Sequence, residues 1–362
     1  MDIKSVMSLF TADQYLSHSP LGCGHINSTY KVELKGANGE YSVVLQKINT
    51  NIFEDYKGLM NNIVGVTEYL RARLSPEEDP MRAVMKVIPA LDGKSYAEFD
   101  GAVWRLYVYV TDTTTYQQIE KPEDFYNCGF AFGDFQERLA DYPAEELCET
   151  IPNFHHTPTR FETFKKAVEE DACGRAAEVK AEIDFALARE ELAHSVASLL
   201  EKGEIPYRVT HNDTKLNNIL FDNFTGKPLC VVDLDTIMPG AACYDFGDCI
   251  RFGASSAPED EKDLSKVYMN IDLFREFAKG YLSVAAKFLT EKELPTLAIG
   301  SKLMTFECGI RFLTDYLQGD TYFKTSYRGQ NLDRCRTQFK LVADMEEKMD
   351  EMQNIVKEMA KQ

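Results

Sequence analysis

The sequence predicts a mixed α+β protein in which a small antiparallel sheet is followed by a larger, mainly helical region. The sheet is indicated by two β-rich runs, 29–34 and 41–46, which flank a glycine-bearing turn. The helical region is indicated by long segments that have helical spacing of apolar residues and few turn residues. We therefore predict an N-terminal region over 1–110 and a C-terminal region over 111–362.

The N-terminal region is predicted to contain one amphipathic helix and further strands. Apolar residues recur near helical spacing from Ile63 to Leu70, and the helix is expected to end before Pro76. The further strands are predicted over 83–88 and 103–110.

The C-terminal region is predicted to be helical over 124–140, 160–168, 183–200 and 339–362. The last of these segments has methionines and a valine at alternating steps of four and three residues on an otherwise charged helix. Such a helix either packs on its own domain or forms a coiled coil, and we favour packing on its own domain.

The charge and the cysteines restrict the classes of partner. The 362 residues include 58 Asp and Glu against 40 Lys and Arg, a net charge of −18, so nucleic acid and anionic membranes are not expected as partners. Nine scattered cysteines without a Cys-x-x-Cys pair are typical of reduced thiols. The sequence begins without a signal-peptide pattern, and we therefore expect a cytoplasmic protein.

Polar residues with a defined spacing occur in the segment 208–235. A loop with the pattern His-x-Asp-x-Lys-x-x-Asn, at 211–218, precedes two short β-rich runs, 219–221 and 229–232, that are predicted to form a hairpin. Phosphoryl transfer needs a carboxylate to orient the attacking hydroxyl, a cation to offset phosphoryl charge, and oxygen ligands for Mg²⁺. Asp213, Lys215, and Asn218 with Asp233 supply these groups in that order.

This pattern resembles the catalytic loop of the protein kinases and, more closely, that of the aminoglycoside and choline phosphotransferases. The five-residue step from Asp213 to Asn218 matches the spacing of the kinase base and its metal-binding Asn. The resemblance implies a two-lobed, protein-kinase-like fold with a small antiparallel-sheet N-lobe and a larger, mainly helical C-lobe. It also implies ATP as the phosphoryl donor and Mg²⁺ as the cofactor.

A closer resemblance covers nearly the whole chain and is to the N-acetylhexosamine 1-kinases of gut bacteria. The segments that carry it are 22–30, 210–220, 233–240, 245–254 and 307–313. It implies transfer of the γ-phosphoryl group of ATP to the anomeric hydroxyl of N-acetylglucosamine or N-acetylgalactosamine.

The resemblance and the chemistry together assign roles around the loop. Asp213 is the candidate base and Lys215 the candidate catalytic cation, while Asn218 and Asp233 are the candidate Mg²⁺ ligands. Asp235 has two interpretations of equal weight, assisting the metal through a water or holding the loop.

Two further residues of this region are predicted to be structural. His211 is expected to support the loop, because no neighbouring nucleophile is present for it to activate. Asp245 opens an Asp-Phe-Gly triplet that spells the metal motif of protein kinases, but it lies 27 residues beyond Asn218. We therefore expect Asp245 to support the catalytic loop and not to bind the metal.

The nucleotide is expected to contact the glycine-bearing loop before the first hairpin strand, the second hairpin strand and the strand that would receive adenine. The candidates are Gly24, Asn27, Ser28, Gln46, Tyr109 and Val110. Gln46 stands where the wider family has a Lys or Arg, although the N-acetylhexosamine kinases share this Gln. The usual contact of a lysine with the phosphates is therefore in doubt, and Lys47 lies on the opposite strand face.

The sugar site is predicted from the segments that match the sugar kinases. The candidates are His25, Asp213, Lys215, Phe252, Arg311 and Tyr322. Arg311 suits paired sugar oxygens, but a helix salt bridge with Asp315 is equally compatible with the spacing. His155-His156 is interpreted as a turn and not as a metal pair.

The sequence is compatible with two rival functions. The first is a kinase for an aminoglycoside, choline or a homoserine-like acceptor, which needs an acidic patch for the ammonium group of its substrate. The second is a catalytically silent ATP-binding protein, which the intact Asp213, Asn218 and Asp233 argue against. The expected partners are a small sugar and a nucleotide, and the expected assembly is a monomer or small homo-oligomer.

Overall fold

The computed structural model describes residues 2–22, 26–119 and 121–361. The chain divides into two compact units. Unit 1 consists of Met1–Thr114, Asp141–Pro152 and Leu220–Met238, and unit 2 consists of Thr115–Ala140, Asn153–Ile219 and Pro239–Gln362. Unit 1 thus includes two segments that follow residue 114 in the chain. Within the described part of the chain, no helix is long and apolar enough to cross a membrane.

Unit 1 is built on an antiparallel sheet with the strand order β1-β2-β3-β6-β4, in which β5 also pairs with β6. The hairpin predicted from the first glycine-bearing turn is confirmed, since β2 and β3 pair from Ser28↔Lys47 to Gly36↔Gly39. The strands are β1 (Gln14–Pro20), β2 (Ser28–Gly36), β3 (Gly39–Ile48), β4 (Val87–Ile88), β5 (Ala97–Phe99) and β6 (Ala102–Val108).

Two helices lie in the same unit, α1 (Ile3–Met7) and α2 (Tyr56–Arg71). The predicted amphipathic helix is confirmed as α2, whose first turn is capped by the Asp55 side chain. The apolar core of one sheet face includes α1, and it is formed by Ile3, Val6, Met7, Phe10, Val32, Leu34, Val43, Leu45, Ala90, Ala97, Trp104 and Leu106. Because strand side chains alternate, Arg105 lies on the other sheet face, where it contacts Met60 of α2.

Two strand predictions are wrong at their ends. The strand predicted over 83–88 is limited to Val87–Ile88. The reason is that the Arg71 guanidinium takes the carbonyls of Val84 and Met85, at 3.1 and 2.9 Å, in place of a neighbouring strand. The strand predicted over 103–110 ends at Val108, so Tyr109 and Val110 follow it as irregular chain.

The remaining strands are short. β9 (Ile219–Asp222) and β10 (Pro228–Val231) form the hairpin predicted after the catalytic loop, and β7 (Thr113–Thr114) pairs with β9. The other pair consists of β8 (Arg208–Thr210) and β11 (Met238–Gly240).

Unit 2 is mainly helical. Its helices are α3 (Pro122–Arg138), α4 (Thr157–Glu170), α5 (Lys180–Leu187), α6 (Glu190–His194), α7 (Ala197–Glu201), α8 (Ala242–Gly253), α9 (Ile271–Ala285), α10 (Leu294–Gln318), α11 (Gln330–Glu347) and α12 (Met349–Met359). α3 and α9 can pack closely because Gly129 and Gly280 have no Cβ atom. A Cβ atom at Gly129 would overlap the carbonyl oxygen of Phe277, and one at Gly280 would overlap that of Tyr126.

Two long helices predicted for this unit are interrupted. The segment 183–200 is divided among α5, α6 and α7, and at the first break the Arg189 guanidinium takes the Phe185 carbonyl at 2.9 Å and pairs with Glu346. The segment 339–362 is divided at Lys348 between α11 and α12. α12 packs on α9 and α10 of the same unit, which confirms the expectation that it packs on its own domain.

Candidate active site

The loop between β8 and β9 brings three predicted site residues of unit 2 together. Asp213 Oδ1 lies 2.5 Å from Lys215 Nζ. The Asn218 amide nitrogen donates to the backbone oxygen of Asp213 at 2.8 Å and to its Oδ2 at 3.3 Å. The Asp213 and Lys215 side chains keep 30% and 38% of their surface exposed, so a ligand has access to both.

The Asp213–Lys215 ion pair keeps both groups charged. Burial acts to raise the pKa of Asp213, but Lys215, together with smaller effects of His211 and Arg251, outweighs it and the net shift is downward. Burial acts to lower the pKa of Lys215, but Asp213 and Asp248 outweigh it and the net shift is upward. At neutral pH the loop therefore presents a carboxylate and an ammonium group side by side.

Asp245, in the first turn of α8, supports the loop through hydrogen bonds. This fully buried carboxylate accepts from the backbone nitrogens of His211 and Asn212, at 2.9 and 2.8 Å, and from the Gln136 amide at 2.6 Å. Burial, which is the largest influence, raises the pKa of Asp245, while these donors favour its charged form. Asp245 is thus occupied by donors from the loop and from α3, as a supporting residue would be.

The His211 side chain is also enclosed. Its ring packs edge-on against Phe132 and Phe135 of α3, and its Nδ1 accepts from the Asp213 backbone nitrogen at 3.3 Å. The residue has no exposed surface. These contacts orient the backbone on which Asp213 is carried.

Asp248 gives a second support that the sequence analysis did not assign. It accepts from the Thr214 backbone nitrogen at 3.0 Å and pairs with Arg251 at 3.1 Å. Asp245 and Asp248 lie three residues apart in one helix, a spacing that places both on one face. This helical spacing from Asp245 was the sequence signal that could have identified Asp248 as a supporting residue.

A cavity of about 470 Å³ in unit 2 adjoins the loop between β8 and β9. Two predicted sugar-site residues, Lys215 and Phe252, line it. Glu259 contributes a carboxylate to the lining, and this carboxylate lies 3.0 Å from the Arg251 guanidinium. Among the lining residues that the structure describes, there is no carboxylate beyond Glu259.

Arg311 and Tyr322, also predicted for the sugar, lie elsewhere in unit 2. The Arg311 guanidinium is 6.0 Å from the Tyr322 ring and 5.7 Å from the Phe154 ring. The alternative salt bridge from Arg311 to Asp315 is absent from the ion pairs of the described residues. Asp315 instead accepts from the backbone nitrogens of residues 321–323 at 2.8 to 3.0 Å.

A buried polar network in unit 1 contains Gln46. Gln46 donates to Thr29 Oγ1 at 2.9 Å and accepts from Arg105 Nε at 2.9 Å. Arg105 in turn pairs with Asp235 at 2.6 Å, with 1% and 7% of the two side chains exposed. Arg105 is a charged residue in an apolar strand, and that pattern was the only sequence signal for it.

Asp235 is bound through both of its oxygens. Its Oδ1 pairs with Arg105, and its Oδ2 accepts from the Asn27 amide at 2.5 Å. Asn27 also accepts from the Asn49 backbone nitrogen at 2.9 Å. Burial acts to lower the pKa of Arg105, but Asp235, with further contributions from Tyr107 and Asp233, outweighs it and the net shift is upward, so the guanidinium stays charged.

The other predicted site residues of unit 1 are placed as follows. Asp233 follows β10 and has a left-handed backbone, with φ 63°. Ser28 is exposed at the start of β2. Tyr109 lies 4.6 Å from the Lys31 ammonium, and the Val110 carbonyl accepts from Thr113 Oγ1 at 3.1 Å. Gly24 and His25 lie outside the described residues.

The sequence pattern of a family described as "Phosphotransferase enzyme family" matches residues 17–273, more than half of the chain. The chain therefore belongs to this phosphotransferase family. The α+β fold with an N-terminal antiparallel sheet and a helical C-terminal part, predicted as protein-kinase-like, is confirmed by similar solved structures.

Three of these structures illustrate the similarity. An aminoglycoside phosphotransferase from Alicyclobacillus acidocaldarius is 9% identical over 100% of this chain and 97% of its own, with a TM-score of 0.57. A choline kinase from Cryptosporidium parvum is 13% identical over 94% and 91%, with a TM-score of 0.54. A spectinomycin phosphotransferase in complex with ADP and spectinomycin is 11% identical over 96% and 98%, with a TM-score of 0.53.

Replacing Lys215 with Met is expected to shift the acidic limb of the pH profile of kcat/KM to higher pH. As the candidate base, Asp213 must be ionised to take up the proton of the attacking hydroxyl, so activity is expected to fall as the pH falls through its pKa. Without Lys215, the raising effect of burial on that pKa is opposed by the smaller effects of His211 and Arg251 alone, so the pKa is expected to rise. Steady-state rates between about pH 4 and 8 measure the limb.

The matched control is Lys166→Met, which removes an exposed lysine paired with Glu170 on α4. It should leave the acidic limb where it is in the unchanged protein. An identical limb in Lys215→Met would show that Lys215 does not set the ionisation of Asp213.

Proposed function

We propose that this phosphotransferase transfers the γ-phosphoryl group of ATP to the hydroxyl of a small acceptor, with Asp213 as the orienting base. The observation that carries the proposal is the cluster of Asp213, Lys215 and Asn218 on one short loop. Asp213 accepts the hydrogen bond of the attacking hydroxyl, and Lys215 offsets the charge of the transferred group. Because the pKa of Asp213 is lowered, it contributes mainly orientation, and the proton moves late.

Asn218 and Asp233 are the residues that we propose to hold Mg²⁺. The Asn218 amide nitrogen is used by Asp213, which leaves its carbonyl oxygen for a ligand, and amide and carboxylate oxygens suit this cation. The assignment of Asp233 rests on the sequence spacing. Bound Mg²⁺ would neutralise charge on the nucleotide phosphates. For Asp235 we favour the loop-holding role, because both of its oxygens already have partners.

Nucleotide contacts remain proposals on sequence grounds. Gln46 takes the position of the usual lysine, and its side chain is engaged by Thr29 and Arg105. We therefore propose that a positive charge reaches the phosphates from Lys215 and the metal and not from this strand. Asn27, Ser28, Tyr109 and Val110, together with Gly24, are the further proposed contacts.

The acceptor that we propose is an N-acetylhexosamine, phosphorylated at its anomeric hydroxyl. The proposal rests on the resemblance of the sequence to the N-acetylhexosamine 1-kinases. The cavity beside Lys215 supports it, since about 470 Å³ accommodates a monosaccharide and the Glu259 carboxylate is neutralised by Arg251. An acceptor with an ammonium group would need an unpaired carboxylate. Lys215 and Phe252 would contact the sugar, and Arg311, Tyr322 and His25 are proposed on the resemblance alone.

A second candidate is a kinase for an amine-bearing alcohol. It is favoured by the names of the similar structures, which include an aminoglycoside phosphotransferase and a choline kinase. Such a substrate would be bound by carboxylates in place of the neutral contacts proposed above.

Incubation with Mg-ATP and each acceptor separates the two candidates. We expect N-acetylglucosamine or N-acetylgalactosamine to give a 1-phosphate, identified by coupling of phosphorus to the anomeric proton in NMR spectra of the product. Choline and an aminoglycoside are expected to remain unmodified. Phosphate on C6, or turnover of the amines alone, would contradict the sugar 1-kinase proposal.

A further inference from the structure

His155 lies in the turn before α4, and its side chain contacts the backbone of the loop that carries Asp213. Its Nε2 is 3.1 Å from the backbone oxygen of Asn212, and its Nδ1 is 2.8 Å from Glu307 Oε1 of α10. The His155 side chain is 9% exposed and that of Glu307 is 1% exposed. All three residues belong to unit 2.

The partners of the His155 ring are a backbone carbonyl and a carboxylate. A backbone carbonyl only accepts hydrogen bonds, and an ionised carboxylate does the same. Burial acts to raise the pKa of Glu307, and His155 is the largest of the influences that lower it. Its other oxygen accepts from Thr157 Oγ1 at 2.6 Å. An ionised Glu307 and the Asn212 carbonyl are both satisfied only by the imidazolium form of the ring, so the two charged states favour each other.

The charged and titratable groups around this pair are consistent with that form. The positive charge of Arg311 on α10 acts to lower the pKa of Glu307. Burial lowers the pKa of Arg160 on α4, and Glu307 acts against that shift. Tyr244 of α8 lies 5.9 Å from the His155 ring, and burial raises its pKa far enough to keep the phenol neutral.

The carbonyl that His155 holds belongs to the peptide that precedes Asp213. Asn212 has a left-handed backbone with φ 64°. This conformation costs free energy, and it persists because surrounding contacts offset that cost. Its nitrogen donates to Asp245, and the next nitrogen, of Asp213, donates to His211. The His155 contact completes the set, since the Asn212–Asp213 peptide is then held at its oxygen as well as at its nitrogen.

We propose that His155, held as an imidazolium by Glu307, is a positioning residue that fixes the direction of the Asp213 carboxylate for phosphoryl transfer. The proposal rests on the proposed role of Asp213 and does not depend on the identity of the acceptor. A misplacement of about 1 Å at a reacting group costs up to about 100-fold in rate. The effect of losing His155 is therefore expected on kcat more than on KM.

The protonation state is tested on the protein alone by ¹⁵N NMR of labelled histidines. The His155 signals are identified by their loss in His155→Gln, and His156→Gln serves as the matched control for the neighbouring ring. We expect both His155 nitrogens to be protonated at neutral pH, and one protonated nitrogen in Glu307→Gln. A singly protonated ring in the unchanged protein would overturn the proposal, whatever acceptor the enzyme uses.

The positioning role is tested by kinetics with the acceptor that the substrate screen identifies. His155→Ala is expected to lower kcat about 10- to 100-fold with KM for ATP nearly unchanged. His155→Gln, whose amide can donate to the Asn212 carbonyl, should recover part of the loss, and Glu307→Gln should retain more activity than Glu307→Ala. His156→Ala, which removes contacts to Thr159 at the start of α4 and to Glu201, should be as active as the unchanged protein.

Two outcomes would overturn the positioning role. One is an unchanged kcat in a folded His155→Ala protein, and the other is a loss that appears only in KM. If no acceptor is phosphorylated but the imidazolium is observed, the proposed function fails while the state of the His155–Glu307 pair stands.

Discussion

Replacing Asp213 with Asn is expected to lower kcat by about 10²- to 10⁴-fold, the range typical for the loss of a positioned acid–base group. The amide has nearly the shape of the carboxylate, so the hydrogen bonds from Asn218 to the Asp213 backbone and side-chain oxygens are retained. What is lost is the negative charge that accepts the proton of the attacking hydroxyl and balances Lys215. Initial rates under saturating Mg-ATP and acceptor measure the loss.

Asp184→Asn is the matched control for this substitution. Asp184 is exposed on α5 and pairs with Lys180 one helical turn away, so its charge is not expected to affect the reaction. A thermal unfolding curve that is the same for both variants and the unchanged protein would exclude misfolding as the cause. If Asp213→Asn kept full activity, the assignment of Asp213 as the base would be refuted.

The parts of the molecule that the sequence predicted well depend on short-range patterns. The β2–β3 hairpin follows from two apolar runs around a glycine-bearing turn. The segment from Asp213 to Asn218 spans six residues and also contains Lys215. The three side chains come together because few residues separate them along the chain. Spacing along the chain was sufficient in both cases.

The residues that the sequence analysis missed depend on partners far along the chain. His155 was interpreted as part of a turn, which it is, but its partner Glu307 lies 152 residues away. Nothing in the turn itself indicates that the ring faces two acceptors. Asp248 and Arg105 were missed for the same reason, since each pairs with a residue that only the folded chain brings near.

Element boundaries failed where a side chain replaced a backbone partner. Arg71 takes the carbonyls that would have continued the strand predicted over 83–88, and Arg189 takes a carbonyl at the first break in the helix predicted over 183–200. The spacing of apolar residues does not indicate such contacts, because it does not show which backbone carbonyls a long arginine side chain will reach. Polar capping by long side chains thus determined where these elements end.

Replacing Arg105 with Met is expected to lower the free energy of unfolding of unit 1 by about 3 to 5 kcal/mol, the usual cost of removing one partner from a buried ion pair. The methionine fills similar space, but Asp235 keeps only Asn27 as a charge-stabilising donor, and Gln46 loses the group that donates to its oxygen. Trp104 is the single tryptophan and is buried in the core of unit 1. Its fluorescence during urea unfolding therefore reports on this unit.

The double variant Arg105→Met, Asp235→Asn identifies the buried charge as the cause. Removing both charges leaves no uncompensated ion, so the double variant should be more stable than Arg105→Met alone. Lys94→Met, which breaks the exposed pair with Asp92 in the same unit, should not change the unfolding midpoint measurably. If the double variant were the least stable of the set, packing of the Arg105 side chain and not its charge would be what stabilises this part of the sheet.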